Sequence, residues 1–130
     1  MTSELSILAW TLALALFQIF LHMALRSRET GMGYAFGSRD EAAPPQGSVT
    51  ARIQRAQANL YETLPLFAGA ILVAHAAGRE GAMTLLGAQL YLAGRVLYVP
   101  LYAAGIRVLR SLVWGVSLVG LVMVLFAILK

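Results

Sequence analysis

The sequence predicts an all-α protein, a single membrane domain over residues 1–130 built as a bundle of four transmembrane helices. Three observations predict it. Of the 130 residues, 59% are hydrophobic and 12% charged, about half the charged share usual in soluble domains. Four mostly apolar stretches reach the roughly twenty residues a helix needs to cross a bilayer. None shows the strict alternation of a membrane barrel strand, and an open sheet edge is not tolerated in lipid.

The first helix is expected at about residues 5–25. Glu4 precedes it instead of a basic segment, and no small-residue cleavage site leads into a soluble domain, so it is expected to be retained as a span. A connection of about residues 27–50 follows, broken by Gly31, Gly33, Gly37, Pro44, Pro45 and Gly47, residues that interrupt regular structure. Within it, Ser38 to Glu41 with Tyr34 and Phe36 form either a lid over a site or a hydrated turn with interfacial aromatics. Ser48 or Thr50 is a candidate cap for the second helix, expected at about 52–78. The residues GREG, 78–81, read as a tight turn into a third helix at about 82–104. Gly105 is a natural helix breaker. The fourth helix is expected at about 110–129. Gly87 and Gly94 on the third helix, and Gly115 and Gly120 on the fourth, allow close backbone approach.

Charge is distributed unevenly. Arg26, Arg28, Arg39, Arg52 and Arg55 lie in or beside the first connection and Arg107 and Arg110 in the third, whereas the second holds Arg79 alone. Basic loops stay cytoplasmic, so the first and third connections are expected on that side and both termini on the other. The net charge of +4 therefore reads as topology, with an anion site as the further option, and not as a footprint for nucleic acid. Cysteine is absent, which excludes disulfides, thiolate metal sites and a cysteine nucleophile of the protein's own. Any thiol chemistry must use a borrowed thiol. His22 with Gln18 reads as an interhelical hydrogen-bonding pair, and His75 is isolated. No second ligand falls at metal-binding spacing, so no metal is expected.

The second helix carries the residues that ask for an explanation. At a hundred degrees per residue, Arg52, Arg55, Asn59 and Glu62 share one narrow stripe. An acid below the membrane interface is costly unless it is paired or water-lined. The stripe is either an internal ion-pair network joining helices or a template for a zwitterion, with arginines for carboxylates, Asn as a bridge and Glu for an ammonium. Pro65 frees a carbonyl nearby. On the third helix Arg95, Tyr98 and Tyr102 again share a face, beside Pro100. Arg95 lies deep for a charge, and Glu62 is the only embedded acid available, so an Arg95–Glu62 ion pair is expected.

The string Arg52, Arg55, Ala56, Asn59, Glu62, Pro65 (RxxRAxxNxxExxP) resembles the second-helix signature of the MAPEG family, membrane-associated proteins of eicosanoid and glutathione metabolism. The likeness extends to a third helix with RxxYxxxY and to an Arg–Ser pair, Arg110 and Ser111, at the start of the fourth. It implies a homotrimer in which glutathione, the co-substrate, binds between subunits near the cytoplasmic face and meets a lipophilic small molecule entering from membrane lipid. It also implies glutathione contacts from Arg55, Asn59, Glu62, Tyr98 and Tyr102, with Arg26 and Gln57 supplied by the neighbouring subunit. Arg110 is implied as the catalytic arginine facing the thiol, with Arg107 its rival because the spacing from Tyr102 varies among relatives.

A guanidinium beside sulfur favours the nucleophilic thiolate over the thiol. The resulting expectation is a membrane glutathione transferase or peroxidase, multi-pass in a bacterial inner membrane. The alternatives are a small four-helix transporter with Glu62 as its coupling acid, or a noncatalytic glutathione- or lipid-binding membrane protein. Arginines beside Glu62 argue against proton coupling, because neighbouring cations hold a carboxylate ionised.

Overall fold

The computed structural model describes all 130 residues and contains five helices and no strand. Four are long: α1 (Ser3–Thr30), α3 (Ser48–Ala76), α4 (Ala82–Ala103) and α5 (Arg107–Leu129). The fifth, α2 (Met32–Phe36), is a short ordered piece of the first connection. At 1.5 Å per residue the long helices measure roughly 33–44 Å, enough for the ~30 Å hydrocarbon core of a bilayer. By length and composition α1, α4 and α5 qualify as membrane spans. α3 does not, because the polar stripe near its start lowers its mean hydropathy.

Each helix end has a local cause. Thr2 caps α1, its hydroxyl accepting from the Leu5 amide at 3.3 Å, and Glu4 sits in the first turn where the helix dipole favours an anion. α3 begins about one turn earlier than the sequence suggests. Neither Ser48 nor Thr50 caps it. The Glu29 carboxylate reaches across from α1 instead: Oε2 accepts from the Gly47 amide at 3.0 Å and from the Thr50 hydroxyl at 2.7 Å. The other oxygen, Oε1, pairs with Arg26 at 2.9 Å. At the end of α4, Gly105 adopts φ +77° and the Ile106 amide bonds back to the Leu101 carbonyl, the Schellman stop that glycine permits at no steric cost. Arg52 lies over this turn and donates to the Ala103 carbonyl at 3.3 Å, so it neutralises the negative end of α4.

α3 and α4 each touch the other three long helices, whereas α1 and α5 do not meet. The core between them holds Leu8, Leu60, Phe67, Ile71, Tyr91, Leu121 and Val124. Only 25 of the 130 residues are buried. Trp10, Phe17 and Phe20 on α1 and Val119, Val122 and Phe126 on α5 point outward, an apolar surface far larger than a water-soluble monomer exposes.

α4 and α5 pack with their backbones nearly touching. A Cβ added at Gly87 would lie 2.6 Å from the Gly120 carbonyl, and one at Gly94 would lie 2.7 Å from that of Val113. Gly115 departs from expectation: nothing lies within 4 Å of its missing Cβ, so it plays no part in this seam. His22 and Gln18 also do not act as a pair. His22 Nε2 bonds Gln46 Oε1 at 2.8 Å, and the Gln18 amide nitrogen is buried without a partner.

At the end of the bundle holding the α3–α4 turn, Thr84 donates to the buried Glu4 carboxylate at 2.8 Å, and Thr2 donates to Glu80 Oε2 at 2.7 Å. The Thr2 hydroxyl, with His75 at 3.3 Å on the other oxygen, holds the Glu80 carboxyl below the ordinary carboxylate range. A depressed folded-state pKa stabilises above the unfolded value of 4.5 and ceases to as pH falls through the folded one. Glu80→Gln is therefore expected to lower the melting temperature at pH 7 and to match the wild type in strong acid, read by thermal unfolding in detergent at several pH values. In the same assay Gly87→Ala should destabilise by about 1–3 kcal/mol, the usual cost of overpacking. Gly115→Ala should be neutral or slightly stabilising.

Candidate functional site

The seam between α3 and α4 builds the site one helical turn at a time. Residues four apart on α3 present successive rungs to α4. Deepest is Phe67, stacked on Tyr91 with ring centroids 4.0 Å apart. Next, the Thr63 hydroxyl bonds that of Tyr91 at 2.8 Å. One turn nearer the surface, Arg95 Nη1 donates to Asn59 Oδ1 at 2.8 Å. The outermost rung is Arg55 Nε donating to the Tyr102 hydroxyl at 3.1 Å.

The expected Arg95–Glu62 ion pair is not formed. Arg95 pairs with Asn59, and Glu62 is exposed and forms no salt bridge. The reason is rotational: Glu62 lies about twenty degrees round the helix from Arg55 and about sixty from Asn59, at the edge of the seam away from Thr63, so Asn59 faces Arg95 more directly.

Above the Arg95–Asn59 rung lies a cavity of about 150 Å³, lined by Asn59, Tyr98, Tyr102, Arg110, Ser111 and Trp114. α3 supplies the amide, the last turns of α4 the two phenols, and the first two turns of α5 the rest. Cations and rings alternate around it. The Arg95 guanidinium lies 4.6 Å from the Tyr98 ring centroid, and the rings of Tyr98 and Tyr102 meet edge to face at 5.4 Å. Arg110 sits 4.4 Å from the centroid of Tyr102, whose ring also receives Arg55 at 5.7 Å. Such contacts hold guanidinium groups in place while leaving their N–H edges free for an anion. The N-cap of α5 is Ile106, which offers no side-chain cap, so the positive end of the helix dipole adds to the field of Arg110.

Four of the sequence-predicted residues therefore line one cavity: Asn59, Tyr98, Tyr102 and Arg110. Arg55 stands at its rim through Tyr102. Glu62, Gln57, Arg26 and Arg107 lie outside it. Gln57 donates to the Tyr61 hydroxyl at 3.0 Å on another face of α3. Arg26 binds Glu29 and the Pro44 carbonyl and lines a separate cavity of about 430 Å³ with His22, Met23, Tyr34, Phe36 and Arg39. That second cavity is larger, but the Arg26 and Arg39 head groups are already engaged, Arg39 by the Ala35 carbonyl. In the smaller cavity the Arg110 guanidinium, the Tyr98 hydroxyl and the Asn59 amide nitrogen make no hydrogen bond within the chain. Arg107, at the first position of α5, is exposed. Ser111 and Trp114 are the lining residues that sequence reasoning does not assign to the site: Ser111 enters it only as part of the Arg–Ser pair, and the signal for Trp114 is its spacing of four from Arg110, which places both on one face of α5.

A family model described as the MAPEG family matches residues 7–130, nearly the whole chain. The comparisons with curated proteins and with solved structures gave no significant match. With three helices apolar enough to span a bilayer and this match across the bundle, the protein is an integral membrane protein and belongs to the MAPEG family.

Proposed function

We propose that this protein is a membrane-bound glutathione transferase or peroxidase that activates glutathione as its thiolate for attack on a lipophilic electrophile or hydroperoxide. The observation that carries this reading is the cavity, where a guanidinium, two phenols, an amide and a hydroxyl converge in a member of a family of glutathione-related membrane transferases and synthases. A borrowed thiol is required, because the chain has no cysteine.

Arg110 and the uncapped start of α5 both favour negative charge at the cavity mouth, which lowers the free energy of a thiolate relative to its thiol. The released proton goes to solvent. In conjugation the sulfur forms a bond to the electrophilic carbon as the leaving group, or an epoxide oxygen, takes the electron pair. With a hydroperoxide the sulfur attacks the distal oxygen and an alcohol leaves; a second glutathione then reduces the sulfenic acid to give the disulfide and water. No protein base is needed for either path.

The working unit in this reading is a homotrimer of four-span subunits, with α3 crossing the membrane beside the other long helices. Glu62 supports it. A carboxylate exposed on a helix of this bundle is costly against lipid, and a neighbouring subunit together with the ammonium of glutathione removes that exposure. Gln57 and Arg26, both off the cavity of their own chain, fit contacts made to the next subunit. In this reading the arginine-rich connections, and the cavity beside them, face the cytoplasm, as the basic-residue bias favours.

Two experiments test the reading. Single cysteines at Ser38 and Ala82 should label from opposite sides of sealed vesicles, and labelling from one side would remove the four-span topology. The second compares Arg110→Ala with Arg107→Ala at saturating glutathione. Loss of Arg110 should raise the bound thiol's pKa by about one unit, worth ~1.4 kcal/mol, and cut turnover more than affinity. Loss of Arg107 should leave the pKa unchanged. Thiolate absorbance against pH and conjugation of an aromatic electrophile are the readouts; no change in either variant would mean a protein that binds glutathione without activating it.

A further inference from the structure

We propose that Arg95 is a positioning residue that locks the Asn59 carboxamide as a hydrogen-bond donor, so that Asn59 meets a carboxylate or carbonyl of glutathione and never its ammonium. This rests on the glutathione reading above and goes beyond it by fixing how the peptide lies.

The argument starts from hydrogen-bond chemistry. A guanidinium has donors and no acceptor, so the amide atom 2.8 Å from Arg95 Nη1 has to be the oxygen of Asn59. The amide nitrogen then occupies the other arm of the side chain. Asn59 lines the cavity and Arg95 does not. Arg95 thus works from behind the wall, only 2% exposed, and leaves the N–H bonds of Asn59 as the group offered to a ligand. The same guanidinium backs the Tyr98 ring, so one buried cation holds two adjoining walls.

The charge inventory points the same way. No carboxylate lines the cavity, whereas Arg110 and the locked amide both offer donors. Glu62, the acid of the stripe, is exposed and stands outside the cavity lining, one turn along α3 from Asn59. A zwitterionic peptide therefore lies with an acceptor end against Asn59 inside the cavity and its ammonium end outside, toward Glu62. An unlocked Asn would present either its oxygen or its nitrogen, and this selectivity would vanish.

The test uses purified protein in detergent, titrated by calorimetry with glutathione and with its two monoamides, in which one carboxylate at a time becomes a carboxamide. Asn59→Asp still accepts from Arg95 but turns an acceptor toward the ligand. It should weaken glutathione by about 30-fold, the loss of one charge-assisted hydrogen bond. One monoamide, able to donate to the new carboxylate, should lose at least tenfold less. A second pair keeps the test independent of that variant's folding. Arg95→Lys, still a donor only, should retain affinity within about threefold, whereas Arg95→Gln, which also offers an acceptor and releases the amide, should lose about tenfold at similar melting temperature. Equal losses for glutathione and both monoamides in Asn59→Asp, or equal affinities for Arg95→Lys and Arg95→Gln, would overturn the proposal. Wild-type protein that binds none of the three ligands would overturn the glutathione reading and this inference with it.

Discussion

A buried guanidinium cannot be left without a partner, and in this bundle that constraint organises everything near the cavity. Removing a charged group from water costs several kcal/mol, which only close partners offset. Arg95 meets the demand in part, with a carboxamide oxygen and an aromatic face, neither of which carries a formal charge, while its Nε stays buried without a hydrogen-bond partner. The pairing therefore retains a net positive charge immediately behind the cavity wall. An Arg95–Glu62 bridge would have cancelled that field. Pairing with Asn59 leaves both the cation's field and the acid's freedom intact.

The rest of the bundle serves to keep that seam in register. Thr63, Tyr91 and Phe67 continue it with a hydroxyl pair and a stacked ring, so α3 cannot slide along α4 without breaking several rungs together. Behind α4, the contact of Gly87 with Gly120 and of Gly94 with Val113 draws α5 close, and this brings Arg110, Ser111 and Trp114 over the phenols of α4. In lipid, such backbone proximity replaces the hydrophobic driving force that water would supply. Packing by small residues and positioning of the cavity are thus two aspects of one α4–α5 contact.

Much of this was legible in the sequence. Hydropathy marks the long helices, and the stripe of Arg55, Asn59 and Glu62 and the face of Arg95, Tyr98 and Tyr102 follow from helical periodicity alone. The partner of Arg95 was not legible. Periodicity says which residues share a face but not how far the helix is rotated against its neighbour, and that rotation decides between Asn59 and Glu62. Distance along the chain hides the cap of α3 in the same way, because Glu29 belongs to another helix. Gly115 shows the converse: its composition fits a packing motif, yet the surface it occupies faces no neighbour.

Glu29 has a consequence for the first connection as a whole. Its carboxylate, steadied by Arg26 of the same helix, joins the end of α1 to the start of α3 through Gly47 and Thr50, so the intervening residues leave and re-enter the bundle through a clasped neck. Of the long helices, the loop's short α2 packs against α1 alone and makes no contact with α3, which carries Arg55 and Asn59. Loop-closure entropy changes only slowly with length. The segment around Ser38 to Glu41 is thus free to diverge in length and composition, a surface on which related chains can acquire new contacts while the cavity stays as it is.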